Sequence, residues 1–248
     1  MEKKNEKYTP EFEQVLDYCE KNCLFVGEGN PNGKILIVGK EVGGDQPESV
    51  EKIIEISNKD VKRNLEAWNN PAGYDLKKLK DDIYKNHKNP TWTNYQKLTN
   101  KIIKEDLGKN YNFLDYCFMT ELSQIHLPNS DYGENFQKEE RQEIDRIKKD
   151  SLIEREKLLS MPFFRNFPIV ILACGHYPTT EFKNYKFDIE KVFEVKWEKP
   201  TKEVGNNWYN VHYNSNNSKI VIHTRQLSNA FNANLLDEIA KEVIVFYK

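Results

Sequence analysis

Val26–Gly44 reads VGEGNPNGKILIVGKEVGG, and residues 34–39 within it, KILIVG, form a short apolar run that is rich in branched side chains. Such a run predicts a strand that is buried on both faces. The run ends on Gly39, and Gly43 and Gly44 follow closely. The stretch therefore predicts a strand that leads directly into a functional loop.

Three further apolar runs predict strands over residues 114–120, 168–174 and 219–223. Mainly helical patterns separate the runs and cover residues 48–67, 75–105 and 137–160. Strands that alternate with helices favour a parallel sheet with helices on both faces. We therefore expect a three-layer α/β/α fold with a mainly parallel central sheet, formed by a single domain over residues 1–248.

The chain has an apolar hairpin and a final amphipathic helix after the last predicted crossover. Asn207–Tyr213 and Lys219–Thr224 flank the turn-forming residues 214–217, which predicts two antiparallel strands. In sheets of this kind ligands bind at the carboxyl ends of the parallel strands. The loops after Gly39, Met119, Gly175 and His223 are therefore expected to lie near one another.

The overall charge is close to balanced, with 37 Lys and Arg against 39 Asp and Glu. A protein without a basic excess has no global field that attracts nucleic acid, so any DNA contact requires a local patch. No apolar run approaches the length that spans a bilayer, and Met1 is followed by charged rather than apolar residues. These features predict a cytoplasmic protein with no membrane contact and with reduced thiols.

Four elements, in the same order along the chain, resemble the uracil-DNA glycosylase superfamily. Val26–Gly44 is similar to the GEGNP-like approach, apolar strand and Gly-Glu-Ala-Pro-Gly-like loop of its thermostable iron–sulfur branch. Phe118–Leu122, FMTEL, stands where that family has a strand ending in a base-reading Asn. Ile169–Gly175 resembles the third strand, and Ile222–Ser228, IHTRQLS, resembles the His-Pro-Ser-Pro-Leu-Ser motif before the last helix. The resemblance implies a uracil-DNA glycosylase-like fold and a DNA glycosylase that flips a base and hydrolyses its N-glycosidic bond.

The resemblance also assigns roles to individual residues. Glu41 matches a catalytic carboxylate and His223 matches the histidine that donates to the base, with a solvated loop carboxylate and a strand-end histidine bonded to backbone as the alternatives. Lys40, Val42 and Gly43 occupy the base-binding loop, in which Val42 replaces the usual Pro. Such a site requires a carboxylate for the developing cation or the attacking water and a donor for the base oxygen.

The motif after the last strand implies the DNA contacts. Leu227 matches the residue that wedges into the duplex when a base leaves the stack. The alternative is that its side chain is buried and attaches the last helix to the rest of the fold, as a staple. Arg225 and Ser228 are candidate phosphate contacts, with an ordinary surface position as the alternative for Arg225. Thr224, Arg225 and Gln226 replace the Pro-Ser-Pro of the family.

The substrate prediction rests on Glu121, which stands where the family usually has the base-reading Asn. An amide both donates and accepts, so it pairs with the uracil edge, whereas an ionised carboxylate only accepts. We therefore expect a base with an exocyclic amino group, such as a cytosine derivative, rather than uracil. The alternatives are a protonated Glu121, or a side chain that points out of the pocket.

The cysteines and histidines argue against a metal or other cofactor. The four cysteines include Cys19 and Cys23, whose Cys-x3-Cys spacing within a helical stripe predicts core packing rather than an iron–sulfur cluster. Cys174 lies inside an apolar run. The five histidines show no zinc spacing with the cysteines.

Two other functions remain open from the sequence. The altered motifs and balanced charge favour a non-catalytic module on the same fold, which binds a nucleobase, a nucleic acid or a protein partner. Hydrolysis of free nucleosides is a third hypothesis, since it requires little positive charge.

Overall fold

The computed structural model describes residues 8–41, 47–86, 90–107, 111–126, 136–179, 184–228 and 233–247, with the side chains of residue 41 and residues 82–86 excepted. Seven strands lie in these ranges: β1 Glu28–Gly29, β2 Ile35–Glu41, β3 Cys117–Ser123, β4 Ile169–Ala173, β5 Lys196–Val204, β6 Asn207–Tyr213 and β7 Ile220–Thr224. The helices are α1 Pro10–Asn22, α2 Val50–Trp68, α3 Leu76–Asn86, α4 Pro90–Ile103, α5 Lys138–Leu159, α6 Pro162–Arg165, α7 Ile189–Phe193 and α8 Asn234–Phe246.

The seven strands form one mixed sheet in the order β1-β3-β2-β4-β7-β6-β5. The four central strands, β3, β2, β4 and β7, run parallel, and β6 and β5 extend the sheet as an antiparallel hairpin. The four predicted strands therefore lie in one sheet, and the predicted pairing of 207–213 with 219–224 is confirmed. The protein is an α/β protein whose sheet is mostly parallel at its centre.

Both faces of the central sheet are covered because its strands are apolar on both sides. Leu36, Val38 and Val221 pack in a core with α1, α2, α5, α6 and α7, which we call the α5 face. Ile37 and Ile222 pack in a second core with α4 and α8, which we call the α8 face. Successive side chains of a strand point to opposite faces, so each strand contributes to both cores.

Several boundaries differ from the sequence prediction. The strand predicted over 114–120 begins at Cys117, because Asn112–Asp115 form a 3₁₀ turn whose Phe113 and Leu114 enter the core. The mainly helical stretch over 75–105 contains two helices, α3 and α4, and α4 begins at Pro90, as the helix-breaking Asn89-Pro90 pair predicts. Strand β5 was not predicted at all.

The described helices contain none that is long and apolar enough to cross a membrane. The cysteines are all free, and Cys19 and Cys174 are core residues. Cys23 is exposed, which corrects the prediction that it packs in the core beside Cys19. It ends α1 in a left-handed conformation, with φ of 52°, and this turns its side chain away from the helix stripe.

Candidate functional site

The carboxyl ends of the four parallel strands lie side by side and place the sequence-predicted residues along one edge of the sheet. Glu121 on β3 is opposite Gly39 on β2, and Gly39 is opposite Ala173 on β4. Ala173 is in turn opposite Thr224 on β7. Parallel strands that end in register bring their following loops to a common edge, and ligands of open α/β sheets bind there.

The end of β2 and the loop after it hold most of the predicted catalytic and base-binding residues. Glu41 is the last residue of β2, where its backbone pairs with Ser123. Its side chain, together with Val42 and Gly43, lies outside the described part of the chain. The roles of Glu41, Val42 and Gly43 therefore stay predictions.

The Glu121 carboxylate lies directly against the backbone of Gly39. A Cβ atom at position 39 would lie 2.7 Å from the Glu121 Cδ, and nearer still to one carboxylate oxygen. Only glycine leaves this space open, so the glycine at position 39 of β2 makes room for the Glu121 side chain of β3. The Gly39–Glu121 contact places a half-buried carboxylate at the ligand-binding edge of the sheet.

The negative charge of Glu121 contributes to the pKa shifts of three buried side chains. Burial raises the pKa of Tyr95 on α4 well above its usual value, and the Glu121 carboxylate raises it further. Burial likewise raises the pKa of Cys174, again with a contribution from Glu121. Burial lowers the pKa of Arg155 to about 10, while Cys19 and Glu121 oppose that shift. Arg155 therefore remains a cation at neutral pH and provides a positive charge that attracts the carboxylate.

His223 is buried on β7, with 1% of its surface exposed. Its Nε2 lies 2.8 Å from the carbonyl oxygen of Gly175, so this nitrogen carries the proton and donates. Burial lowers the pKa of His223 to about 4, which makes the ring neutral at pH 7. The ring also meets Trp208 edge-on at a centroid distance of 5.0 Å. This geometry matches the alternative of a strand-end histidine that is bonded to backbone.

Glu121 and His223 lie on opposite faces of the sheet. Glu121 is two residues beyond Met119, which packs on the α8 face. His223 is two residues beyond Val221, which packs on the α5 face. Because side chains alternate along a strand, the two groups share an edge but not a face. Any ligand that contacts both must therefore lie across the end of the sheet.

The motif after β7 is held mainly by contacts within the fold. Leu227 is fully buried in the α8-face core, where it packs against the last helix, as its alternative interpretation predicts. A side chain in this position is not at the surface and so is not available for insertion into a duplex. Arg225 donates to the Oδ1 of Asn207 at 2.7 Å. Asn94 on α4 donates to the carbonyl oxygens of Leu227 and Ser228 at 3.1 and 3.4 Å. Asn94 is thus a positioning residue that the sequence analysis missed.

Two lysines lie near the ring of Tyr177, just beyond β4. Lys40 Nζ is 5.4 Å from the ring centroid, and Lys148 Nζ is 5.8 Å from it. These distances allow a cation–π attraction. Lys148 is 1% exposed although it belongs to the highly charged helix α5. Its position one helical turn after the buried Ile144 is the signal that could have identified it as a buried cation.

A cavity of about 900 Å³ opens on the α5 face beside His223. The β5–β6 hairpin forms one wall through Trp208 and Asn210, and the segment after β4 contributes His176. Glu121 is not among its lining residues. Among the described residues, no three His, Cys, Asp or Glu side chains are grouped so that they could hold a metal ion.

No protein-family model matches the chain, and neither the curated proteins nor the solved structures contain a match.

Proposed function

We propose that this chain is a uracil-DNA glycosylase-like hydrolase that takes a base with an exocyclic amino group at the carboxyl edge of its sheet. The observation that carries the proposal is the Glu121 carboxylate packed on Gly39, beside the loop that follows β2. A carboxylate accepts a hydrogen bond from an amino group, whereas against the O4 of uracil two acceptors would repel. Glu121 thus supplies the base preference.

The reaction proposed is hydrolysis of the bond between the base nitrogen and C1′ of deoxyribose. Water adds to C1′, the carbon–nitrogen bond breaks, and the base leaves with its bonding electrons and takes a proton. Glu41, at the end of β2, is the proposed carboxylate for the water or the sugar cation. DNA is the proposed partner, and Arg225 and Ser228 are the residues on this edge that would meet its phosphates.

The binding-module alternative is favoured by a specific observation. The Nε2 of His223 is occupied by the carbonyl of Gly175, and the side chain of Leu227 is in the core. Two groups that the family resemblance assigns to catalysis and base flipping are therefore used to hold the fold together. A module that binds a nucleobase without cleaving it requires neither group.

A panel of oligonucleotides that carry uracil, hypoxanthine, xanthine or modified cytosines tests both candidates, with abasic sites as the readout. We expect release of an amino-bearing base by the wild type and at least about tenfold slower release by Glu121→Gln, because the variant replaces one acceptor by a donor. Glu41→Gln is expected to slow release by a similar factor. Glu198→Gln, an exposed change on β5, is the control.

Two outcomes decide between the candidates. Efficient uracil release that Glu121→Gln leaves unchanged contradicts the assigned base preference. Binding of the oligonucleotides without abasic sites, at a strength that Glu121→Gln reduces, replaces the hydrolase by the binding module.

A further inference from the structure

The cavity on the α5 face has aromatic walls and is separate from the Glu121 carboxylate. Its aromatic lining residues are Trp197, Trp208, Phe187, His176, His212 and His223. Trp208 and His176 are stacked, with ring centroids 4.8 Å apart. The cross-strand pairs Trp197–His212 and Glu203–Trp208 place these side chains on the same face of the β5–β6 hairpin.

Hydrogen bonding inside the fold leaves this cavity rich in acceptors. His223 donates from Nε2 to a backbone carbonyl, so the Nδ1 of the neutral ring is an acceptor. His212 Nδ1 lies 3.3 Å from the carbonyl oxygen of Val221, which leaves its Nε2 as an acceptor. The Oδ1 of Asn210 is buried and has no hydrogen-bond partner among the described residues. A buried acceptor without a partner is costly, so a donor supplied by a ligand would be favourable there.

The charges around the cavity are mainly negative. Asp188, Glu190 and Glu203 line it together with Lys186, and the Nζ of Lys199 lies 5.3 Å from the ring centroid of Trp197. Glu190 is already paired with Lys196, at 3.0 Å. The backbone of Glu203 pairs with Trp208, and its carboxylate has no ion-pair or hydrogen-bond partner in the part of the chain that the structure describes. A phosphate or carboxylate ligand would therefore be repelled, and a cation would be attracted.

We infer that this cavity binds a guanidinium group, carried either by a small molecule or by an arginine side chain. A guanidinium is planar and cationic, stacks on aromatic rings, and presents five donors to dispersed acceptors. Trp208 supplies the ring, Asn210 and the two histidines supply the acceptors, and Glu203 supplies the counter-charge. The inference does not depend on the proposed function, because Glu121 lies on the other face of the sheet.

Ligand binding tests the inference directly. The probes are agmatine, blocked arginine (N-acetyl-arginine methylamide), blocked lysine and blocked citrulline, titrated by calorimetry and by tryptophan fluorescence. Citrulline has the shape of arginine without its charge. We expect saturable binding of agmatine or blocked arginine, at least about tenfold weaker binding of lysine, and no binding of citrulline. Binding of agmatine alone assigns a free small molecule, whereas binding of blocked arginine as well assigns a peptide side chain.

Paired variants locate the bound group. Asn210→Leu removes the unpartnered acceptor and is expected to weaken binding about tenfold. Glu203→Gln, on the exposed strand β5, is expected to weaken binding about threefold, because solvent screens an exposed charge. Glu198→Gln lies on the same strand, outside the cavity lining, and should have no effect. Since β5 is an exposed edge strand, Glu203→Gln keeps the test valid if Asn210→Leu does not fold.

Three results would overturn the inference. They are the absence of guanidinium binding, citrulline or lysine binding as tight as that of arginine, and equal loss of affinity in Glu203→Gln and Glu198→Gln. None of these results bears on base release at Glu121, so failure here and failure of the proposed function are separate.

Discussion

At the scale of single residues, the burial of His223 links its protonation to folding. Its pKa is about 4 in the folded protein, against about 6.5 for an unperturbed histidine. Between these values the unfolded chain binds the proton and the folded chain does not. The contribution of His223 to stability is therefore present above pH 6.5 and is lost as the pH falls towards 4.

We expect His223→Gln to reduce this pH dependence. The Gln amide can still donate to Gly175 but does not titrate, so the stability difference between wild type and variant should change by up to about 3 kcal/mol between pH 7 and pH 4. Urea unfolding across this range measures it. Burial raises the pKa of Glu28 to about 7, so Glu28 changes stability with pH in the opposite direction. This effect is the same in the wild type and the variant and cancels in their difference. Parallel stability curves for the two proteins would contradict the prediction.

Gly39 and Glu121 form a pair whose contact can be measured. Gly39→Ala brings a methyl group into the space of the Glu121 carboxylate, so the side chain must move. The substitution is expected to destabilise the wild type by about 1 kcal/mol more than it destabilises a Glu121→Ala background. A double-mutant cycle from chemical denaturation gives the coupling. A coupling energy near zero would show that the carboxylate relocates without cost.

At the scale of elements, helix α5 is attached to the sheet through a buried cation. Arg155 is fully buried, and it donates to the carbonyl oxygen of Phe25 and, at 2.6 Å, to the hydroxyl of Thr120. That hydroxyl in turn donates to the carbonyl of Val26 at 3.1 Å. The guanidinium thus connects α5, the segment before β1, and β3.

Arg155→Met is expected to destabilise the protein by about 3 kcal/mol, because it leaves the Phe25 carbonyl without this donor and removes charge-assisted hydrogen bonds. The matched control is Arg146→Met on the same helix. Arg146 is exposed and pairs with Glu143 and Asp150, so its loss should cost less than about 1 kcal/mol. Thermal and urea unfolding compare the two variants, and equal effects would contradict the proposed role of Arg155.

The same elements show which signals in the sequence are reliable. Strands β2, β4 and β7 were predictable because each is an unbroken apolar run between two helical layers. Strand β5 was not, because it is an outer strand whose residues are mostly exposed, so no burial pattern is imposed on it. The burial of Lys148 and Arg155 was not predicted, because both stand in a highly charged helix. They nevertheless lie on the buried side of α5 together with Ile144, Leu152 and Leu159.

At the scale of the whole molecule, the sequence order of the motifs correctly placed their strands side by side but not their side chains. The predicted edge exists, with Glu121, Gly39 and Thr224 in register across it. Side chains alternate between the two faces of a sheet, so a shift of one residue in the register of a strand moves each of its side chains to the other face. Predicting the faces on which Glu121 and His223 lie required that detail, which no motif contains.

The β5–β6 hairpin also determines what the sheet presents to other molecules in solution. Without it, the apolar strand β7 would be an open edge that could template pairing with another chain, the usual beginning of aggregation. Strand β5 ends the sheet instead, and it carries several Lys and Glu side chains, a Pro at position 200 that lacks an N–H group, and an irregular register between Glu198 and Lys202. These are the features that discourage edge-to-edge association. The hairpin therefore disfavours self-assembly through the sheet edge, and it also forms one wall of the cavity.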